Sequence, residues 1–123
     1  MDREEFAKLV GQGVDGLPEE FSARLENVDI VVADKPTRNQ LRKAKVSPGY
    51  IIFGLYEGVP LTKRGIHYGL VPPDKITIFQ KSFEEYFSDK AEIVREIEKV
   101  VRHEIAHHFG ISDERLREIE ERH

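Results

Sequence analysis

From about Asp89 to Phe109 the chain carries Ile93, Ile97, Val101 and Ile105 at four-residue intervals, a stripe that a helix gathers on one side. A helix this long with one apolar face must be covered by other elements, so the rest of the chain has to supply the core beneath it. Gly110 can take the left-handed conformation that follows a helix end, and Ser112 caps a final helix running through Leu116 and Ile119.

The remaining elements follow from shorter patterns. Phe6, Leu9, Val10 and Val14 recur at helical spacing between Asp2 and Val14, and Pro18 with two glutamates after it reads as the N1 position and first turn of a second helix. Val28 to Val32 is β-branched and suits a strand, and Pro36 to Ala44 a short polar helix. A second strand is expected at Tyr50 to Tyr56, and a third at Lys75 to Phe79, where Ile76 and Ile78 alternate with polar neighbours. Between them Glu57 to Asp74 is rich in Gly and Pro and reads as a long loop. Ser82 caps a short helix through Phe87.

A chain of 123 residues fits a single domain spanning 1–123. Of these, 37 are Leu, Ile, Val or Phe, well above the roughly 20% below which disorder is expected. The formal charge of -4 lacks the basic footprint of a nucleic-acid or anionic-membrane binder. The longest apolar runs fall far short of a membrane span, and Met1-Asp2-Arg3-Glu4-Glu5 opens no signal sequence, so a cytoplasmic protein is expected. Without cysteine there is no thiolate site and no cysteine nucleophile, so any metal must be held by imidazole and carboxylate.

The end of the long helix reads His103-Glu104-Ile105-Ala106-His107-His108-Phe109-Gly110-Ile111-Ser112-Asp113 and holds three of the five histidines. Positions i and i+4 share a helix face, so His103 and His107 can offer two neutral imidazoles to one ion, while Glu104 sits too far round to join the same chelate. Glu104 is then available as a general base toward a water that the metal acidifies, which is the chemistry of peptide-bond hydrolysis. A reversal at Gly110 lets Asp113, six residues beyond His107, supply a further ligand.

Each residue also has a plainer reading. His103 and His107 could form a surface pair on an amphipathic helix, and Asp113 could serve the dipole of the helix that Ser112 caps. His108 projects about 100° from His107, toward the apolar stripe, and reads as a buried, hydrogen-bonded histidine in a supporting role. His67 and Tyr68 could reach the site to stabilise an oxyanion or pack as a loop tip, and His123 is terminal and solvated.

The run from His103 to Asp113 is similar to the HExxHxxGxxD signature of a small bacterial family of zincin-like metallopeptidases. Gly54-Leu55-Tyr56-Glu57-Gly58-Val59-Pro60-Leu61-Thr62, then Ile76-Thr77-Ile78-Phe79, look like further blocks of that family, so the resemblance covers most of the chain. It implies an α+β, minimal zincin-like fold, in which a small mixed sheet packs against helices and a long helix donates His103, Glu104 and His107. It also implies one zinc ion per chain, with Asp113 aligned to the third ligand, and a peptide or protein substrate. The spacing resembles metzincin proteases as well, but these place His at the position of Asp113 and carry a methionine turn, whereas Met1 is the only methionine here.

Zinc-dependent peptide hydrolysis by a monomeric domain is therefore the first expectation. If it holds, Ile76 to Phe79 could be an edge strand that pairs with an extended peptide. Two alternatives stand beside it. The small size leaves little wall for a deep cleft, which suits a zincin-fold binding module with Glu57 to Asp74 as its partner surface. A metal-dependent endoribonuclease would share the histidine spacing, but Glu104 stands where such enzymes have glycine, and the acidic balance does not suit RNA.

Overall fold

Local capping chemistry sets many of the element boundaries. The computed structural model describes residues 1–45, 51–58 and 74–122. Asp2 accepts from Glu5 N at 2.7 Å and opens α1, Arg3–Asp15. α2 (Glu19–Ser22) passes into a 3-10 turn at Ala23–Leu25, and β1 is Val28–Ala33. Thr37 and Gln40 form a reciprocal capping box at the start of α3, Arg38–Lys43. β2 (Gly54–Glu57) and β3 (Asp74–Phe79) precede α4, Gln80–Tyr86. Asp89 caps α5, Lys90–His108, and Arg115 N donates to Ser112 Oγ at 3.1 Å in the first turn of α6, Asp113–Arg122.

The fold is α+β, with a mixed sheet in the order β1-β3-β2. β1 runs parallel to β3, with Val28 opposite Asp74 and Ala33 opposite Phe79, while β2 is antiparallel, with Gly54 opposite Ile78 and Glu57 opposite Lys75. β3 is thus the central strand, which overturns its expected role as a peptide-pairing edge. Its interior position also explains why Thr77 and Phe79, on the face opposite Ile76 and Ile78, are buried as well.

The stripe of α5 does what its spacing requires. Ile93, Ile97, Val101 and Ile105 are all at most 1% exposed, packed with Phe6, Leu9 and Val10 of α1, Ile76 and Ile78 of β3, and Leu116 and Ile119 of α6. Two glycines let the helix come this close. A Cβ on Gly13 would lie 2.8 Å from Ile97 Cγ2 and 3.1 Å from Val94 O, and one on Gly54 would lie 2.7 Å from Val100 Cγ1. Gly13→Ala is therefore expected to destabilise the chain by about 1–3 kcal/mol, the usual range for overpacking, read as a lower denaturant midpoint at unchanged slope. A midpoint equal to that of the parent would mean that α1 and α5 have room to separate.

Three expectations need correction. The second strand begins at Gly54 rather than Tyr50: Phe53 O still accepts from Phe79 N at 2.9 Å, but Ile51 and Ile52 before it lie outside the strand. Pro18 is the N-cap of α2, one residue before N1, with extended ψ of 150°. Ser82 does not cap α4, which starts two residues before it; its hydroxyl instead donates to Ile52 O at 2.9 Å and ties α4 to the segment entering β2. Of the expected loop from Glu57 to Asp74, the two ends belong to β2 and β3, and residues 59–73 lie outside the described residues. Among the described residues no helix is long and apolar enough to cross a membrane.

Candidate metal centre

The candidate site lies on the last two turns of α5, where the apolar stripe ends beside β2. Phe109 N donates to Ile105 O, Gly110 takes φ +69°, and Ile111 N closes the turn by donating to Ala106 O at 2.8 Å. This closure fixes the end of the helix and turns the chain into α6. His103 and His107 follow one another on the same side of α5, with His107 exposed and His103 partly so.

Glu104 is turned toward β2. Tyr56 N donates to Glu104 Oε1 at 2.9 Å, joining the helix to the strand at the point where catalysis would need a fixed carboxylate. Burial pushes the Glu104 carboxyl above its ordinary pKa of 4.5, opposed by the Tyr56 N–H and then by the nearby His107 and His103 imidazoles. A cavity of about 430 Å³ opens here, with Gly54, Leu55 and Tyr56 on one wall and Glu104, His107 and His108 on the other.

His108 departs from expectation. It is exposed rather than buried, because the core stripe has already ended at Ile105 and the next surface it meets is Tyr56. The two rings stack with centroids 3.8 Å apart and planes 15° from parallel. The Tyr56 hydroxyl donates to Asp74 Oδ2 at 2.7 Å, and His108 Nε2 stands 4.0 Å from the same oxygen. Tyr56 and Asp74 were both missed as site residues: the sequence marks Tyr56 as the end of a strand and Asp74 as the end of a loop, and it is the antiparallel pairing of β2 with β3 that brings them together.

Asp113 is the exposed first residue of α6. Also on α6, Glu120 Oε1 lies 3.6 Å from His103 Nε2 and 3.5 Å from Arg102 Nε. Glu120 also went unnoticed in the sequence, although it follows Asp113 by seven residues and so shares its side of the helix. His67, Tyr68 and His123 lie outside the described residues.

In kind, these donors fit zinc: imidazole nitrogen and carboxylate oxygen on and opposite one helix face, with no competing thiolate. Their arrangement is not yet a closed site, since among the described residues no three His, Asp or Glu side chains converge as a ready metal-binding group.

Comparison with known proteins bears on the family and the fold. A family model described as zincin-like metallopeptidase matches residues 25–123, which include the whole sheet, α5 and α6. No curated protein matches the chain. A solved structure, a conserved hypothetical protein from Thermus thermophilus, superimposes with a TM-score of 0.58 at 24% identity, covering 89% of this chain and 94% of that one, and so shares the fold.

Proposed function

Because the chain belongs to the zincin-like metallopeptidase family, we propose that it is a zinc-dependent metallopeptidase that hydrolyses peptide bonds, with Glu104 as general base. The observation that carries this reading is the Glu104 carboxyl, half-buried in the cavity wall between His107 and β2 and held by Tyr56 N–H. His103 and His107 hold the ion, with a carboxylate of α6 as third donor, which the motif spacing assigns to Asp113. Zinc in such a site is a Lewis acid that makes water more acidic and polarises a carbonyl.

The chain's own residues supply the rest. The Tyr56 N–H occupies Glu104 Oε1, so the second carboxylate oxygen is the one that accepts a proton from water and returns it to the leaving amine. The upward shift of Glu104 suits that task, because a carboxyl with a raised pKa holds a proton better near neutrality. A peptide substrate would lie along β2, the outer strand of the described sheet on the cavity side, rather than along the central β3.

The reading is tested by incubating the purified chain with an unfolded protein such as reduced casein. Cleavage is expected with zinc present, lost on adding a strong chelator, and restored by zinc in excess. Products that form at the same rate with and without chelator would overturn metal-dependent hydrolysis.

A further inference from the structure

We propose that Asp74 and His108 are positioning residues for Glu104, clamping the Tyr56 side chain so that its backbone N–H holds the carboxylate in one orientation; this rests on the metallopeptidase reading above. The first argument is what the sheet leaves undone. Phe79 N donates to Phe53 O at 2.9 Å, so these two residues face each other as a hydrogen-bonded pair. Such pairs alternate along an antiparallel ladder, which puts Tyr56, opposite Ile76, in a pair that exchanges no backbone bond. Its N–H turns away from β3 toward α5, where Glu104 Oε1 accepts it at 2.9 Å. The ladder therefore does not fix the donor that fixes the base.

The second argument is that the side chain of Tyr56 is held at its tip and on its face. The hydroxyl donates to Asp74 Oδ2 at 2.7 Å, and Asp74 is itself anchored at the start of the central strand, opposite Val28 of β1. The ring lies on His108, with centroids 3.8 Å apart and planes 15° from parallel. A Cβ on Gly58 would lie 3.4 Å from His108 Cε1 and 3.7 Å from Asp74 Oδ1, so the chain leaving β2 passes close to both members of the clamp.

The third is the helix. Glu104 and His108 stand four residues apart on α5 and so share a face, and both meet Tyr56: one takes its N–H, the other its ring. Two points of attachment remove the sliding and twisting that a single hydrogen bond allows. That matters for a base, because a catalytic group must be held within about 0.5 Å of its productive position, and a misplacement of about 1 Å can cost on the order of 10²-fold in rate.

The test is steady-state cleavage of reduced casein with zinc present, read as kcat and KM separately. His108→Ala is expected to lower kcat about 10- to 100-fold with KM and zinc content near those of the parent, and Tyr56→Phe, which keeps the ring and the N–H but loses Asp74, about 10-fold. His108→Phe returns a ring to the stack and recovers most of the rate lost in His108→Ala; Asp74→Asn, whose amide oxygen still accepts from Tyr56, does the same relative to Asp74→Ala. The Tyr56 amide exchanges with solvent faster in Tyr56→Phe than in the parent while the amides of β3 do not, and this variant decides the matter if the alanine variants do not fold. His108→Phe as slow as His108→Ala would make the imidazole itself the acting group and overturn the clamp. Parental kcat in both His108→Ala and Tyr56→Phe would overturn it too, while chelator-sensitive cleavage by the parent leaves the metallopeptidase reading standing. If the parent itself cleaves nothing with zinc, that reading fails, and the positioning role with it.

Discussion

Glu104→Gln is expected to abolish hydrolysis while leaving zinc bound. Gln fills the same volume, and its carbonyl oxygen can still accept from Tyr56 N, so the junction between α5 and β2 is kept. What is lost is the ability to take a proton from water, and removing a general base typically lowers the rate by about 10²- to 10⁴-fold. Zinc content after gel filtration should match that of the parent, because the proposed donors are imidazoles and an α6 carboxylate, not Glu104. Turnover of casein at the parental rate would remove Glu104 from the mechanism.

The same variant has a signature in stability that does not depend on turnover. The folded-state pKa of Glu104 is raised by burial above 4.5, so below that value both folded and unfolded chains carry the proton and the group contributes no difference. As pH rises through the raised folded value, the folded chain must ionise a poorly solvated carboxyl, and stability is lost. Gln does not titrate. The metal-free Glu104→Gln chain should therefore be more stable than the metal-free parent at neutral pH, with the gap closing on acidification. A gap that widened as the pH fell would mean that the Tyr56 N–H and the imidazoles outweigh burial.

What the sequence makes legible here is local. The i+4 stripe marks α5 to within a residue at each end, because the period of an amphipathic helix is written in consecutive turns. Ser112 is readable as a cap for the same reason: its partner, Arg115 N, is three residues away. His103, Glu104 and His107 stand out because a helix converts their spacing directly into a shared face.

What fails to show in the sequence is set by distant pairings. β3 reads as a half-buried strand, and nothing within it announces that β1 will join in parallel on its other side. Ser82 looks like a cap because its best partner, Ile52 O, belongs to a segment 30 residues away. His108 points toward the stripe as the helical wheel says, but the stripe has no further residue to offer it and Tyr56 takes that place. Glu120 reaches His103 only after the chain has reversed at Gly110.

The largest loss of stability is expected from Phe83→Ala. Phe83 is fully buried, with ring centroids 5.1 Å from Phe53, 5.8 Å from Phe6 and 6.2 Å from Phe87. It links α1, α4 and the segment that leads into β2, so no single element can shift to refill the space. Deleting a buried phenyl ring costs about 3–5 kcal/mol, a large share of the roughly 5–15 kcal/mol that holds a domain folded. The loss should also reach the site, because Phe53 precedes Gly54, and β2 carries the Tyr56 N–H that fixes Glu104. Urea unfolding followed by circular dichroism should show a much lower midpoint at unchanged slope, and the Tyr56 amide should exchange with solvent faster than in the parent. A drop of less than about 1 kcal/mol would place the load of the core elsewhere, on the α1–α5 contact alone.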